Sequence, residues 1–377
     1  MSKARIFPVI LAGGASSRLW PASGREKPKW DLRLFGQTDA KGQAQSLLEG
    51  AWVRGRAVAA ASDAFVVSGA AQADLIRRSL PELPAENLLV EPEPRDTAGA
   101  VAYAAGGILK KLQRAPLAAD ERAVMFVLPG DHVIRNVESF AQTARMGAQA
   151  AVDLDALITF GIVPRAPATG YGYIHRGAAV KAASGSGPAV YRVSEFREKP
   201  DRATAEKYVG SGEYYWNGGI FLWQLSTLMA EFEQQLPGHA AMANALAGSG
   251  SSWDALAREK FPALKKISID FGIMEHAKSV ATVTGDFDWD DIGSWSAVAA
   301  HLPNSAGNAV GPKTEVIPVD SQKNLVFAPG KRVALIGIEG LAVVETDGEI
   351  LICRLDRDQD VKKVSEHVRD LNKPAGH

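Results

Sequence analysis

Residues 7–21 constrain the chain more than any other stretch. They read Phe-Pro-Val-Ile-Leu-Ala-Gly-Gly-Ala-Ser-Ser-Arg-Leu-Trp-Pro, and residues 25–29 continue as Arg-Glu-Lys-Pro-Lys. From Val9 to Ala12 the run is unbroken apolar, the pattern of a parallel strand buried on both faces. Gly13 and Gly14 follow at once. Two glycines at the C-terminal end of a strand let the backbone turn sharply and bring amide N–H groups close to a ligand. Arg18 adds a fixed, delocalised charge whose forked donors suit phosphate, and Lys29, set after Pro28, adds a point charge. Together they read as a polyphosphate cradle, the alternative being a surface turn with ordinary solvated charges. Two familiar phosphate motifs are excluded. The loop is neither G-x-G-x-x-G nor G-x-x-x-x-G-K-[ST].

The composition narrows the partners. A net charge of −1 provides no global field that would recruit nucleic acid, so anion binding must come from local clusters of cations. The single cysteine, Cys353, excludes an intramolecular disulfide and suits a reducing compartment. Lys3 and Arg5 before an apolar run imitate a signal peptide faintly, but Pro8 and Gly13 break the run too early. No stretch approaches the ~20 apolar residues of a membrane span. The expectation is a cytoplasmic protein without a membrane partner. Its 377 residues suffice for one large core and a smaller second unit.

Strands and helices then alternate. Helices are expected over 44–53, 72–79 and 98–113, the last capped by Asp96 or Thr97. Buried strands are expected over 64–68, 87–91 and 123–128. The pattern predicts an α/β fold with a mixed, mostly parallel sheet covered by helices on both faces. In such sheets ligands sit outside the carboxyl ends of the strands, where the Gly13 loop and Asp131 both fall. From Leu157 the pattern is mixed: strands over 157–162 and 189–196, the glycine- and aromatic-rich segments 169–174 and 214–222, a helix over 225–235 and helical character over 269–278. Residues 184–188 read as a loop, and 286–295 as a turn entering a helix over 296–301. After Pro303, residues 304–312 read as a linker. Four short strands follow, punctuated by Gly330, Gly340 and Gly348, and then a charged helix over 360–371. The domain expectation is 1–303 and a small β-rich unit over 304–377. So small a unit has a weak core and gains by packing on the main domain or a second subunit; a homodimer through it is expected.

Asp131, in Leu-Pro-Gly-Asp-His, and an aspartate of the Trp289-Asp-Asp-Ile-Gly turn make a candidate carboxylate pair. Carboxylates together with substrate phosphates are what Mg²⁺ prefers, and such an ion neutralises charge developing on phosphate. Asp288, Asp290 and Asp291 compete for the second place. Glu198-Lys-Pro offers an acceptor for sugar hydroxyls and a cation for a sugar phosphate. Gly172 and Asn217 flank it with room and a directional amide. His132 is not required as a base, because a phosphate nucleophile is already ionised at pH 7. The cluster Tyr214, Tyr215 and Trp216 reads as core and wall.

These blocks, in the order GGxxxRLxP…PK, RDTA, PGDH, GYGYI, EKP, NGGIF and WDDIGSW, resemble the sugar-nucleotide pyrophosphorylases. The likeness is to the branch acting on mannose 1-phosphate, and it covers about residues 6–300. It implies a Rossmann-like catalytic domain of nucleotide-diphospho-sugar transferase type and a β-helix-like tail. It implies nucleotide contacts at Ala12, Gly13, Gly14, Arg95, Asp96, Thr97 and Gly130, and catalytic roles for Arg18, Lys29 and Asp131. It selects Asp291 as the second Mg²⁺ ligand with Asp131. It sets Gly172, Glu198, Lys199 and Asn217 around the sugar phosphate. Departures are Ser16 where the family has Gly, Trp30 where it has Gln, Asp96 for Asn and Gly99 for Pro. The implied reaction is GTP plus α-D-mannose 1-phosphate giving GDP-mannose and pyrophosphate. Another NTP–hexose pair, or a non-catalytic nucleotide-sugar sensor, are the alternatives; a nicotinamide oxidoreductase fails on the missing fingerprint. A second, isomerase activity is not expected within 377 residues.

Overall fold

The computed structural model describes residues 2–14, 17–24, 27–35, 44–181, 188–285 and 287–371. Ser16, Asp286 and most of the expected 184–188 loop lie outside the described residues. The chain forms two compact units. One comprises Met1–Ala12, Ala51–Pro129 and Ile134–Trp289; the other comprises Gly13–Gly50, Gly130–Val133 and Asp290–His377.

The first unit is built on a nine-stranded sheet among the described residues. Its N-terminal half is parallel: β1 (Lys3–Leu11), β2 (Phe65–Gly69), β3 (Leu88–Glu91) and β4 (Glu121–Pro129), in the order β3-β2-β1-β4. β1 is longer than the apolar run that announced it. Pro8, which has no N–H for a ladder, sits just before Val9, where pairing with β2 begins. The second half is mixed: β5 (Leu157–Ile162), β6 (Gly172–Lys181), β7 (Ala189–Glu198), β8 (Tyr214–Gln224) and β9 (Val280–Thr284). β8 runs antiparallel to β4 and β5, and β5 pairs with β9 in parallel. β7 and β6 close the sheet in antiparallel fashion. The sheet is thus mixed, its parallel character concentrated where strand and helix alternate strictly.

Helices cover it: α1 (Leu47–Arg56), α2 (Ala73–Ser79), α3 (Asp96–Arg114), α4 (Val137–Leu154), α5 (Arg202–Ser211), α6 (Leu225–Gln235), α7 (Pro237–Ala247) and α8 (Trp253–Lys260). Small residues set their approach. At Gly147 in α4 a Cβ would stand 2.6 Å from Leu222 Cδ1 and 3.0 Å from Val283 Cγ1, so only glycine lets this helix lie so close to β8 and β9. α3 buries an alanine-rich face with Val101, Tyr103 and Ile108 in a core that also takes Phe7, Phe65 and Trp223. The helical character expected over 269–278 reduces to one wide turn, Asp270–Met274.

In the second unit the expected linker over 304–312 is structure. β10 (Asn304–Ser305) and β11 (Asn308–Val310) form its first hairpin. β12 (Glu315–Val319) is a strand the sequence pattern conceals, because Pro318 interrupts it. With β13 (Leu325–Phe327), β14 (Arg332–Ile336), β15 (Leu341–Thr346) and β16 (Glu349–Arg354) it makes two short sheets, β10-β11-β13-β15-β16 and β12-β14. β11, β13 and β15 stack in parallel, as in a β-helix. A buried amide ladder ties successive coils: Asn324 Nδ2 donates to Asn308 Oδ1 at 2.9 Å and to the Ile338 carbonyl at 3.0 Å. α9 (Trp295–His301) precedes these strands and α10 (Val361–Leu371) follows them.

The strands do not rely on a core of their own. Leu325, Phe327, Ala342, Val344 and Leu351 share one cluster with Leu19, Ala22 and Leu34 of the loop region and Trp295 of α9. Trp295 Nε1 donates to the Trp20 carbonyl at 3.1 Å. Packing therefore unites residues on both sides of position 303, which is a boundary in sequence pattern.

Candidate active site

β1 and β4 lie side by side with Leu11 opposite Pro129, so the residues that follow both strands leave the same edge of the sheet. Both continuations enter the second unit. Gly13 and Gly14 are exposed, and Gly14 has φ +91°, a conformation that favours glycine. Arg18 is exposed and has no side-chain partner among the described residues, while the next residue, Leu19, is fully buried. The loop is thus anchored by its leucine and presents its arginine.

Lys29 opens a single helical turn after Pro28 and is only 8% exposed. Its ammonium donates to Asp131 Oδ2 at 2.7 Å and to the main-chain carbonyl of Asp291. One cation therefore ties the Asp131 carboxylate to the main chain of Asp291. Burial pushes the Asp131 carboxyl up, but the charges of Lys29 and His132 and the Lys29 hydrogen bond outweigh it and hold it below the usual range. His132 Nε2 lies 3.9 Å from Asp131 Oδ1, beside the carboxylate. Trp30 is a core side chain, 1% exposed.

In the Trp289–Gly293 turn the two adjacent aspartates differ in what they hold. The main chain of Asp290 is bridged to Val133 by two hydrogen bonds of 2.8 and 3.0 Å. Its carboxylate accepts from the Ile292 N–H at 2.7 Å and meets His301 Nε2 at 2.9 Å. Asp290 thereby builds the turn with both its main chain and its side chain. At Gly293 a Cβ would stand 3.3 Å from Asp291 Oδ2, so the glycine leaves room for that carboxylate. Ile292 has φ +48°, which is rare for a β-branched residue. Such strain persists only where the surroundings fix it, here the Asp290 contacts. Among the described residues no group of three His, Cys, Asp or Glu side chains converges as a metal site. A divalent ion would rest on the oxygens of Asp131 and Asp291, completed by water and substrate phosphate. That donor set fits Mg²⁺, which keeps several waters and needs few carboxylates.

A second constellation belongs to the first unit. A Cβ on Gly172 would stand 2.4 Å from Glu198 Oε2, so only glycine leaves this carboxylate its place. Lys199 Nζ pairs with Glu198 Oε1 at 3.0 Å, and Lys199 has φ +45°. Asn217 is fixed from both sides: its Oδ1 accepts from Thr159 Oγ1 at 3.0 Å, and its Nδ2 donates to Asp270 Oδ1 at 2.7 Å. Asp270 escaped the sequence reading, since one aspartate in a presumed helix carries no motif. Burial, with the Glu198 charge adding to it and the Asn217 hydrogen bond opposing it, pushes its carboxyl up to about 6.

Arg95, Asp96 and Thr97 form the start of α3. The capping expectation fails: the cap position is Arg95, without a side-chain cap, and Asp96 at φ +63° accepts from the Thr97 N–H at 2.8 Å. Thr97 Oγ1 instead accepts from the Ile269 N–H at 2.8 Å. The segment expected at the base is thus tied to the residue just before Asp270. Arg95 pairs with Glu93.

Comparison with known proteins places the chain in a family. A family model described as nucleotidyl transferase matches residues 7–305, and one described as a MannoseP isomerase/GMP-like beta-helix domain matches 314–368. A mannose-1-phosphate guanylyltransferase of Klebsiella pneumoniae is 36% identical over 97% of this chain and 74% of its own length. The chain belongs to the mannose-1-phosphate guanylyltransferase family. The Escherichia coli member is 37% identical over the same shares. A crystal structure from Thermus thermophilus, described as a mannose-1-phosphate geranyltransferase, superimposes with TM-score 0.82 at 30% identity, covering 97% of this chain and 99% of that one. The residues expected at the site fall into two sets: Arg18, Lys29, Asp131 and Asp291 in one unit, and Gly172, Glu198, Lys199 and Asn217 with Arg95–Thr97 in the other.

The raised Asp270 carboxyl has a consequence for stability. The folded state holds this proton more tightly than an unfolded aspartate of pKa about 3.9. Its stabilising effect is therefore full below about pH 4 and lost as pH rises through about 6. Asp270→Asn keeps an acceptor for Asn217 and cannot ionise. Urea unfolding should show the variant gaining on the wild type from pH 5 to pH 7; a difference independent of pH would contradict the assignment.

Proposed function

We propose that the chain transfers GMP from GTP to α-D-mannose 1-phosphate, releasing pyrophosphate, with Mg²⁺ as cofactor. The observation that supports this most is the gathering of Asp131 and Asp291 about the Lys29 ammonium. An ammonium has three donors; two are engaged among the described residues, which leaves the third for a phosphate oxygen. Arg18, exposed beside the glycine loop, supplies a forked donor array for the triphosphate. Asp131, its carboxyl held below the usual range, keeps Lys29 in place. The nucleophile is a sugar-phosphate oxygen that carries no proton at pH 7. The residues therefore position it in line with the α-phosphorus and stabilise charge on the leaving pyrophosphate. Mg²⁺, when held by Asp131 and Asp291, supplies further neutralisation of phosphate charge.

Glu198 accepts from hexose hydroxyls, Gly172 gives the ring room, and Lys199 meets the sugar phosphate. Asn217, oriented by Thr159 and Asp270, presents an amide in one direction. Gly13, Gly14, Ala12 and Gly130 offer main-chain groups to the nucleotide, and Arg95–Thr97 face its base. In this reading residues 1–303 form the catalytic domain, 304–377 the appended β-rich domain, and the protein works in the cytoplasm. Among the described residues no helix is long and apolar enough to cross a membrane.

A pyrophosphate-release screen over four NTPs and several hexose 1-phosphates tests substrate choice. GTP with mannose 1-phosphate should be the preferred pair, and another preferred pair would overturn that choice. No turnover with any pair would favour a sensor. In the same assay Arg18→Ala and Lys29→Ala should each lower kcat on the order of 10²-fold or more; wild-type turnover from either would contradict the roles given.

The β-rich domain also fits a homodimer. Ile317, Val319 and Ile336 point outward from the β12-β14 sheet, with Val319 opposite Ile336, and Ile336 is 72% exposed. Light scattering at micromolar concentration should show a dimer that Ile336→Glu weakens; a monomeric wild type would remove this part of the reading.

A further inference from the structure

A cleft of about 840 Å³ lies along β3, the strand that ends the sheet, with α3 and α8 contributing its other walls. The volume is that of a small-molecule site. None of the residues assigned above to nucleotide, sugar or metal lines it.

Its floor is apolar and tight. Phe65 and Leu89 line it, and at Gly107 a Cβ would stand 3.1 Å from Leu89 Cδ1. One wall is Trp253 of α8, partly exposed and backed by the fully buried Tyr103 of α3. Trp253 Nε1 donates to the Tyr103 hydroxyl at 2.7 Å, the hydroxyl donates to the Val90 carbonyl at 3.2 Å, and the two rings lie 5.1 Å apart. Burial pushes the Tyr103 phenol up to about 12, so it remains a donor at neutral pH.

Charge in the cleft is unbalanced. Five cations line it, Arg77, Lys110, Lys111, Arg114 and Arg258, against three acids, Glu86, Glu91 and Asp254. Some of the cations are engaged: Lys111 donates to the Ser62 carbonyl and Arg77 pairs with Asp74. Arg114 and Arg258 are exposed and have no side-chain partner among the described residues. Lys110 donates to the Gly250 carbonyl at 2.6 Å and lies 5.0 Å from the Trp253 ring centre. Burial and then the neighbouring Arg114 charge hold its ammonium below the usual range. An anion would relieve that repulsion.

The acid Glu91 supplies the second observation. Its Oε1 is buried with no hydrogen-bond partner, and burial pushes the carboxyl up to about 7. A buried carboxyl oxygen without a partner is costly, and a ligand N–H or O–H in the cleft is the partner Oε1 lacks. Tyr103, near Glu91, and Arg114 are eleven residues apart on α3, about 16 Å at 1.5 Å per residue. That length accommodates a base, a ribose and one or two phosphates in line.

We propose that this cleft binds a nucleoside phosphate, its base on the Trp253 side near Glu91 and its phosphate at Arg114 and Arg258. The site is additional to the catalytic one. Both nonetheless use α3, whose first turn carries Asp96 and Thr97.

Calorimetric titration of the full-length protein with GMP, AMP and inorganic phosphate tests this. Four proteins are compared: wild type, Arg114→Ala/Arg258→Ala, Glu91→Gln and Lys29→Ala. One or both nucleotides should bind the wild type more tightly than phosphate does. The double variant should weaken that binding tenfold or more while turnover is unchanged. Glu91→Gln, which keeps shape and loses the carboxylate, should weaken it several-fold. Lys29→Ala should leave this binding intact, which separates the cleft from the catalytic reading. The proposal is overturned by equal affinity in wild type and double variant, by an absence of nucleotide binding at millimolar concentration, or by phosphate binding as tightly as both nucleotides.

Discussion

Lys29 carries a full charge into a place where little of the residue reaches water, and such a charge must be met by acceptors. The acceptors it meets are the Asp131 carboxylate and the Asp291 carbonyl. Residues more than a hundred positions apart are thereby brought to one point. The same contact, with the His132 charge, holds the Asp131 carboxyl below its usual range. Without it the two acids would be separate turn residues, each with a structural explanation of its own.

That point is held from below by the β-rich segment. Leu19, one residue beyond Arg18, shares a core with Phe327, Val344 and Trp295. Asp358, in the turn before α10, accepts from the Ser296 N–H at 2.7 Å at the start of α9. Lys27, two residues before Lys29, pairs with Asp347. The loop that carries Arg18 and Lys29 therefore draws its rigidity from residues far later in the chain. A glycine-rich loop has high conformational entropy to lose, and a shared core is how this one is kept in shape.

Much of this was legible in the sequence, for physical reasons. Leu157–Ile162 is buried throughout and reads as an apolar run, and Leu225–Gln235 has a clean helical period, so both elements fall where expected. Lys29 and Asp131 are conspicuous as charges following a proline and a strand end, whereas Asp291 is told from Asp288 and Asp290 only by the family resemblance. Asp270 stands out in neither way, because its importance comes from burial beside Glu198 and from the Asn217 amide, neither of which leaves a local pattern. Thr97 looks like a cap, and only the fold shows its hydroxyl accepting from Ile269. The strands at 304–310 are hidden by a polar, glycine-rich composition that resembles a linker, yet Asn308 is fully buried in an amide ladder.

The central claim is that Asp131 and Asp291 act as one metal-binding pair organised by Lys29. The most direct test is a crystal of the full chain grown with GTP and Mn²⁺, read by anomalous difference density. The account predicts one strong peak bonded to the carboxylates of both Asp131 and Asp291, with the Lys29 ammonium on Asp131 or on a phosphate oxygen beside it. A peak that touches neither carboxylate, or carboxylates turned to separate places with nucleotide bound, would contradict it.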